Sequence, residues 1–195
     1  MGLFDDLKRK ASQAANSVAG QAAGKAFDKA TNKTETVTFD RLPENLEQFK
    51  ALPQAALSNP FDTAALTVLA LCFYPKDPNM SLEMLDAIKG PRPLSNQEKQ
   101  FIKDRFSDKD YVPRSYFVGA TPQNDYTPSE PYAIKVSSNP YSYENEGYAK
   151  LFVTSGGADS PREVLMRLAK DGKWYLWEQF ILSGIRAPES TNPWV

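Results

Sequence analysis

Histidine is absent from all 195 residues of this chain. That removes His-based zinc sites, Ser–His and Cys–His nucleophile pairs, and the commonest general base near neutral pH. Carboxylates, lysine and tyrosine remain as catalytic options, so enzymatic activity stays open while a non-catalytic role is favoured. Cysteine is nearly absent: Cys72 is alone, sits in an apolar run, and cannot form an internal disulfide. A buried, inert thiol in a reducing compartment is expected. No stretch approaches the roughly 18 consecutive apolar residues of a spanning helix. The N-terminus has neither the apolar block nor the small-residue cleavage site of a secretory signal. These absences lead to an expected cytoplasmic location. The net charge of −1 offers no basic stripe outside the N-terminal arm, which argues against a nucleic-acid partner. Ser155-Gly156-Gly157 lacks the Lys-Ser/Thr ending of a phosphate loop, and no cofactor or metal site is expected.

What the chain does contain is ordinary for a globular protein, with 41% hydrophobic and 24% charged residues. Residues 1–33 read as an Ala-rich amphipathic helical arm. Leu3, Phe4, Leu7, Ala11, Ala14, Ala15, Val18 and Ala22 fall within an arc of about 120° on a helical projection. The arm holds six Lys and Arg against three Asp, a charge of +3, which leaves −4 for the remainder. Leu3, Phe4, Leu7, Ala11 and Val18 are the candidates for self-association or for weak membrane-surface contact beside Lys8-Arg9-Lys10. Lipidation at Gly2 is excluded, because position 6 is Asp rather than Ser or Thr. Residues 34–38 read as a polar linker, and 39–195 as one globular domain.

Within that domain four helices are expected. Leu46, Phe49 and Leu52 mark a short one between Pro43 and Pro53. Asn59-Pro60 opens the next, apolar almost all round through Tyr74 and therefore buried. Ser81 is expected to cap the third, with Gly90 beyond its end. Ser95 and Glu98 form a capping box for the fourth, with Phe101, Ile102 and Phe106 on one side. Tyr116–Val118, Ala133–Val136 and Ala149–Thr154 are strand candidates. They lead to a hairpin over Arg162–Gln179 with a two-residue turn at Asp171-Gly172. That turn sets Leu168 opposite Tyr175 and Met166 opposite Trp177. Val164, Met166, Leu168, Tyr175 and Trp177 then form the core face, with Arg167, Trp174 and Leu176 on the other. The fold class is α+β, with N-terminal helices packed on a curved antiparallel β-meander.

Seven tyrosines between Tyr111 and Tyr148 interleave with Pro and Asn. Large, rigid amphipathic rings suit recognition, and they suit equally well closing the end of a sheet. Tyr126, Tyr132, Tyr141, Tyr143, Arg167 and Trp174 are the candidate ligand- or partner-binding residues. Arg167 is expected near Trp174 and Glu178, within cation–π and ion-pair reach.

The opening Met1-Gly2-Leu3-Phe4-Asp5-Asp6-Leu7-Lys8 is one of the segments that carry a resemblance. The others are Gly172-Lys173-Trp174-Tyr175-Leu176-Trp177-Glu178, Ile185-Arg186-Ala187-Pro188 and Pro193-Trp194. Together they resemble an uncharacterised bacterial family of domains of unknown function, over about residues 37–195; the resemblance brings no activity with it. At pattern level, helices followed by a meander with a Gly-Lys-Trp strand are similar to cone-shaped domains of the nuclear transport factor 2 type. That similarity implies a pocket between sheet and helices. The functional expectation is a non-catalytic binding or assembly module, acting through a protein partner or self-association. The alternative is a small-molecule binder or His-independent enzyme using such a pocket.

Overall fold

A computed structural model describes residues 32–107 and 109–194; the arm up to residue 31, with its candidate residues, lies outside them. Five strands pair in sequence order as an antiparallel meander: β1 (Thr34–Phe39), β2 (Tyr132–Ser137), β3 (Tyr148–Val153), β4 (Arg162–Leu168) and β5 (Trp174–Gln179). Between β1 and β2 come α1 (Leu46–Lys50), α2 (Pro60–Cys72), α3 (Pro78–Lys89) and α4 (Asn96–Arg105). The class is α+β, with the helices on one face of the sheet.

The caps explain where the helices begin. Asn45 accepts from Gln48 N–H, Asn59 from Phe61 N–H with Pro60 in the first turn, and Ser95 from Glu98 N–H in a reciprocal capping box. One cap differs from expectation. Asp77, not Ser81, caps α3, and Pro78 opens that helix. Ser81 is buried inside the first turns, where its hydroxyl donates to Ala70 O at 2.8 Å and ties α3 to α2. The side of α4 also differs: Ile102 is buried and Phe106 partly so, but Phe101 is 40% exposed.

Every residue of α2 from Phe61 to Leu71, except Asp62, is buried. Its apolar surface meets Val37, Phe39, Ile134, Val136, Leu151, Val153, Val164, Met166 and Leu176 from the sheet. The space between α2 and the sheet is thus packed rather than hollow.

Residues 34–38, expected as a linker, belong to β1. Thr34 faces Ser137, Val37 faces Ile134 and Phe39 faces Tyr132. The alternation Thr-Glu-Thr-Val-Thr-Phe sends Glu35, Val37 and Phe39 inward, and three threonines take the solvent side of an edge strand. A run with only two apolar residues reads as polar until its partner strand is known. Conversely, Tyr116–Val118 is no strand. Pro113–Tyr116 forms a 3₁₀ turn, and only Phe117 pairs, with Ile134.

The hairpin register is also corrected. Gly172 alone takes a positive φ of 80°, its N–H bonds Ala169 O at 3.0 Å, and Ala169 N–H bonds Lys173 O at 2.9 Å. That is a three-residue loop, Lys170 to Gly172, with the glycine in the left-handed position. The extra residue shifts pairing by one, so Leu168 faces Trp174, Arg167 faces Tyr175 and Met166 faces Leu176. A bulge between Leu165 and Met166 on the ladder then leaves Trp177 unpaired and resumes at Leu165–Glu178. Val164 and Met166 stay in the core as expected, and Leu176 joins them. Tyr175 and Trp177 leave that face, and Leu168 is 40% exposed.

Candidate functional site

The shifted register builds the most distinctive surface of the molecule. Tyr148 and Arg167 are partners on β3 and β4, on the face away from α2. The shifted register puts Tyr175 opposite Arg167 and so, two residues on, Trp177 on the same side. Its ring lies edge-on to Tyr148 at 5.9 Å, and the Arg167 guanidinium sits 4.6 Å from the Trp177 ring centre and 5.4 Å from that of Tyr148. A second guanidinium arrives from the helical layer. The Gly90-Pro91-Arg92 segment after α3 wraps the edge of β5 and sets Arg92 4.4 Å from the Trp177 ring. The wrap depends on Gly90, whose φ is 58°. A side chain there would run into the Tyr175 ring, so both backbone angle and space favour glycine.

Pro91, Arg92, Arg167 and Trp177 line a pocket of about 610 Å³, with Lys89, Leu168, Ala169, Lys170, Asp171, Tyr175 and Leu176 completing its wall. Its electrostatics are one-sided. Among the described residues neither Arg92 nor Arg167 forms a salt bridge. The Asp171 carboxylate is already engaged, accepting from Tyr175 Oη at 2.8 Å and Lys173 N–H at 3.1 Å. The hydrogen bond from Tyr175 holds the Asp171 carboxyl below its ordinary value, and the same bond pushes the Tyr175 phenol up. Guanidinium groups stacked on a ring keep their in-plane N–H donors free, the geometry that grips carboxylate or phosphate oxygens.

A second hollow of about 270 Å³ meets the first at Lys89 and Leu176. Its wall holds Leu85, Leu94, Phe101, Ile102 and Phe180 together with Gln97, Glu98, Glu178 and Gln179. Lys89, with a side chain only 2% exposed, lies between the two as floor. Its Nζ donates to Glu98 Oε1 at 2.8 Å and to Trp177 O at 3.1 Å. Partial burial opposes the charge on Glu98. Hydrogen bonds from Lys89 and from the Ser95 backbone and hydroxyl, with the Lys89 charge, outweigh it and bring the carboxyl down to about 2. The ion pair pins α3, α4 and β5 together beneath the groove.

The sequence-derived candidates are scattered. Arg167 is in the pocket. Trp174 lies outside it, half-buried near the start of α2, where its carbonyl accepts from Thr63 Oγ1 at 2.7 Å and Tyr143 meets its ring edge-on at 6.4 Å. Tyr126 is buried, stacked on Tyr111 with its hydroxyl on Arg186 O at 2.6 Å, and is a core residue. Tyr132 lies on the core face of β2, against Phe117 and bonded to Glu130. Tyr141 is exposed and lines neither hollow. The expected approach of Arg167 to Glu178 is replaced by the Tyr148 and Trp177 contacts. Arg92, Lys89, Tyr148 and Trp177 were missed. Only the two tryptophans of the Trp174-Tyr175-Leu176-Trp177 strand hinted at the site, and the wrong one was on the favoured face.

One further cluster bears on acid–base chemistry. Inward-facing Glu35 accepts from Asn59 Nδ2 at 3.1 Å and pairs with Lys33. Nearby, burial and then the Glu35 charge push the Asp62 carboxyl up. Burial and the same charge push the Tyr143 phenol up. Glu35 is neutralised in place, and the arrangement serves to close the end of the core. Burial pushes the Cys72 thiol up to about 12, which leaves it protonated and unreactive at neutral pH. Among the described residues no group of three or more Cys, Asp or Glu is placed to hold a metal, and no helix is long and apolar enough to cross a membrane.

The family described as Domain of unknown function (DUF6935) matches residues 41–189, well over half of the chain, and the chain belongs to it. No curated protein and no solved structure matches, so the pattern-level similarity to the nuclear transport factor 2 type gains no support.

Proposed function

We propose that this member of the DUF6935 family is a non-catalytic binding module of the cytoplasm, and that its site is the pocket around Trp177, which takes an anionic group. One observation carries the reading. Two guanidiniums from distant parts of the chain flank one indole, in a pocket whose only carboxylate is already bonded. A solvated surface that merely neutralised its own charge would pair these arginines with the carboxylates nearby, as Arg186 pairs with Asp159.

In this reading the arm of residues 1–33 supplies self-association or weak contact with a membrane surface, and the pocket supplies recognition. Phenyl phosphate is a suitable probe for calorimetric titration, with benzyltrimethylammonium as the cationic control. The phosphate is expected to bind and the ammonium is not. Replacing both arginines, Arg92→Gln with Arg167→Gln, is expected to weaken phenyl phosphate at least tenfold while the folded far-UV signal persists, because charge-assisted bonds are worth about 1.5–3 kcal/mol. Equal affinity of the double variant and the natural chain would remove the pocket from consideration.

A further inference from the structure

We infer that the groove along β5 takes a single-chain anionic amphiphile, its headgroup held between Arg92 and Arg167 and its hydrocarbon chain laid over Lys89 and Leu176 toward Phe101 and Phe180. The inference rests on the anion site proposed above and extends it by naming what is attached to the anion.

Three features of the surface lead there. The basic pocket and the apolar hollow are neighbours that share Lys89 and Leu176 in their walls, so a ligand long enough to reach both would cross Lys89. Three of the five large hydrophobic side chains exposed among the described residues, Phe101, Leu168 and Phe180, line these two hollows. Exposed apolar side chains gathered along one groove mark a binding surface, whereas scattered ones are ordinary. Finally, unpaired positive charge is concentrated at one end. Arg92 and Arg167 lie there with Lys170; at the other, Glu98 is already committed to Lys89 and Ser95, Glu178 adds a second carboxylate to the wall, and Arg105 lies over Phe101. That order, cationic end then greasy end, is complementary to a carboxylate, sulfate or phosphate head on an alkyl tail. An uncharged or cationic amphiphile offers the two guanidiniums no counter-charge at the head position. A bilayer surface is a poorer match, because the apolar end is a hollow of about 270 Å³ and not a protruding face.

The test titrates the full chain with sodium alkyl sulfates of six to twelve carbons, below micelle formation, following tryptophan fluorescence and heat. Affinity is expected to rise with each methylene, by up to about fourfold where the methylene is fully buried. Dodecyl maltoside and dodecyltrimethylammonium are expected to bind at least tenfold more weakly than the sulfate of equal length. Phe101→Ser with Phe180→Ser, both exposed positions, should flatten the dependence on chain length. Arg92→Gln with Arg167→Gln should instead abolish the preference for the anionic head. Anion binding that ignores chain length would overturn the amphiphile and leave the anion site standing. No response to any alkyl sulfate or to phenyl phosphate would overturn both. Binding to phosphatidylglycerol vesicles without binding to the single-chain series would replace the proposed ligand by a membrane surface.

Discussion

At the scale of single residues the most consequential pair is Lys89 with Glu98. The Lys89 side chain is 2% exposed, and its Nζ is met by the Glu98 carboxylate and the Trp177 carbonyl. The Glu98 carboxyl, brought from 4.5 down to about 2, is more acidic in the folded chain than in the unfolded one. Its stabilising contribution is therefore fully present above its ordinary value and is lost as pH falls through about 2. Glu98→Gln is expected to cost about 2 kcal/mol at neutral pH, discounted for the partial exposure of the carboxylate. Urea denaturation should show the gap between variant and natural chain narrowing below pH 4.5; a constant gap from pH 7 to pH 3 would contradict the assignment. The capping box that places Glu98 was legible, since Ser95 and Glu98 stand three apart ahead of an apolar run. Its partner was not. Nothing local distinguishes Lys89 from an ordinary solvated lysine at the end of a helix.

At the scale of elements, β1 separates what the family match covers from what the fold requires. The match begins at residue 41, after β1, yet Val37 and Phe39 are buried against the sheet core. Burying two such side chains is worth roughly 3–6 kcal/mol, a large part of the 5–15 kcal/mol typical of a domain. Removing residues 1–31 should leave the thermal midpoint by circular dichroism unchanged. Removing residues 1–40 should lower it by many degrees or abolish the cooperative transition; equal midpoints would show that β1 is dispensable. Helix starts with a cap and a proline, such as Asn59-Pro60, were readable because the signal lies within a few bonds. The register of β4 and β5 was not, because Asp-Gly serves both two-residue and three-residue loops. One residue of difference exchanges the faces of Trp174, Tyr175, Leu176 and Trp177.

For the molecule as a whole, α2 is the hub on which the five strands rest, and its burial fills the space where a cone-shaped domain would keep a pocket. Native-state hydrogen exchange should find the slowest amides between Ala64 and Leu71, opening only with global unfolding, and faster exchange in edge strand β1. Comparable rates in the two would mean that α2 is not the centre of cooperativity.

From its residues alone the chain already determined the α+β class, the near-total burial of α2, the capping of α2 and α4, and the loss of every histidine-dependent chemistry. These depend on composition and on interactions a few residues long. Tertiary structure decided the rest: that Thr34–Phe39 is a strand, that Leu176 rather than Trp177 enters the core, and that Arg92 and Arg167 meet across one indole. The physical reason is range. Arg92 and Trp177 are brought together by a wrap at Gly90 and by a three-residue turn that displaces the facing side chains by one position. No periodicity in the sequence records that displacement.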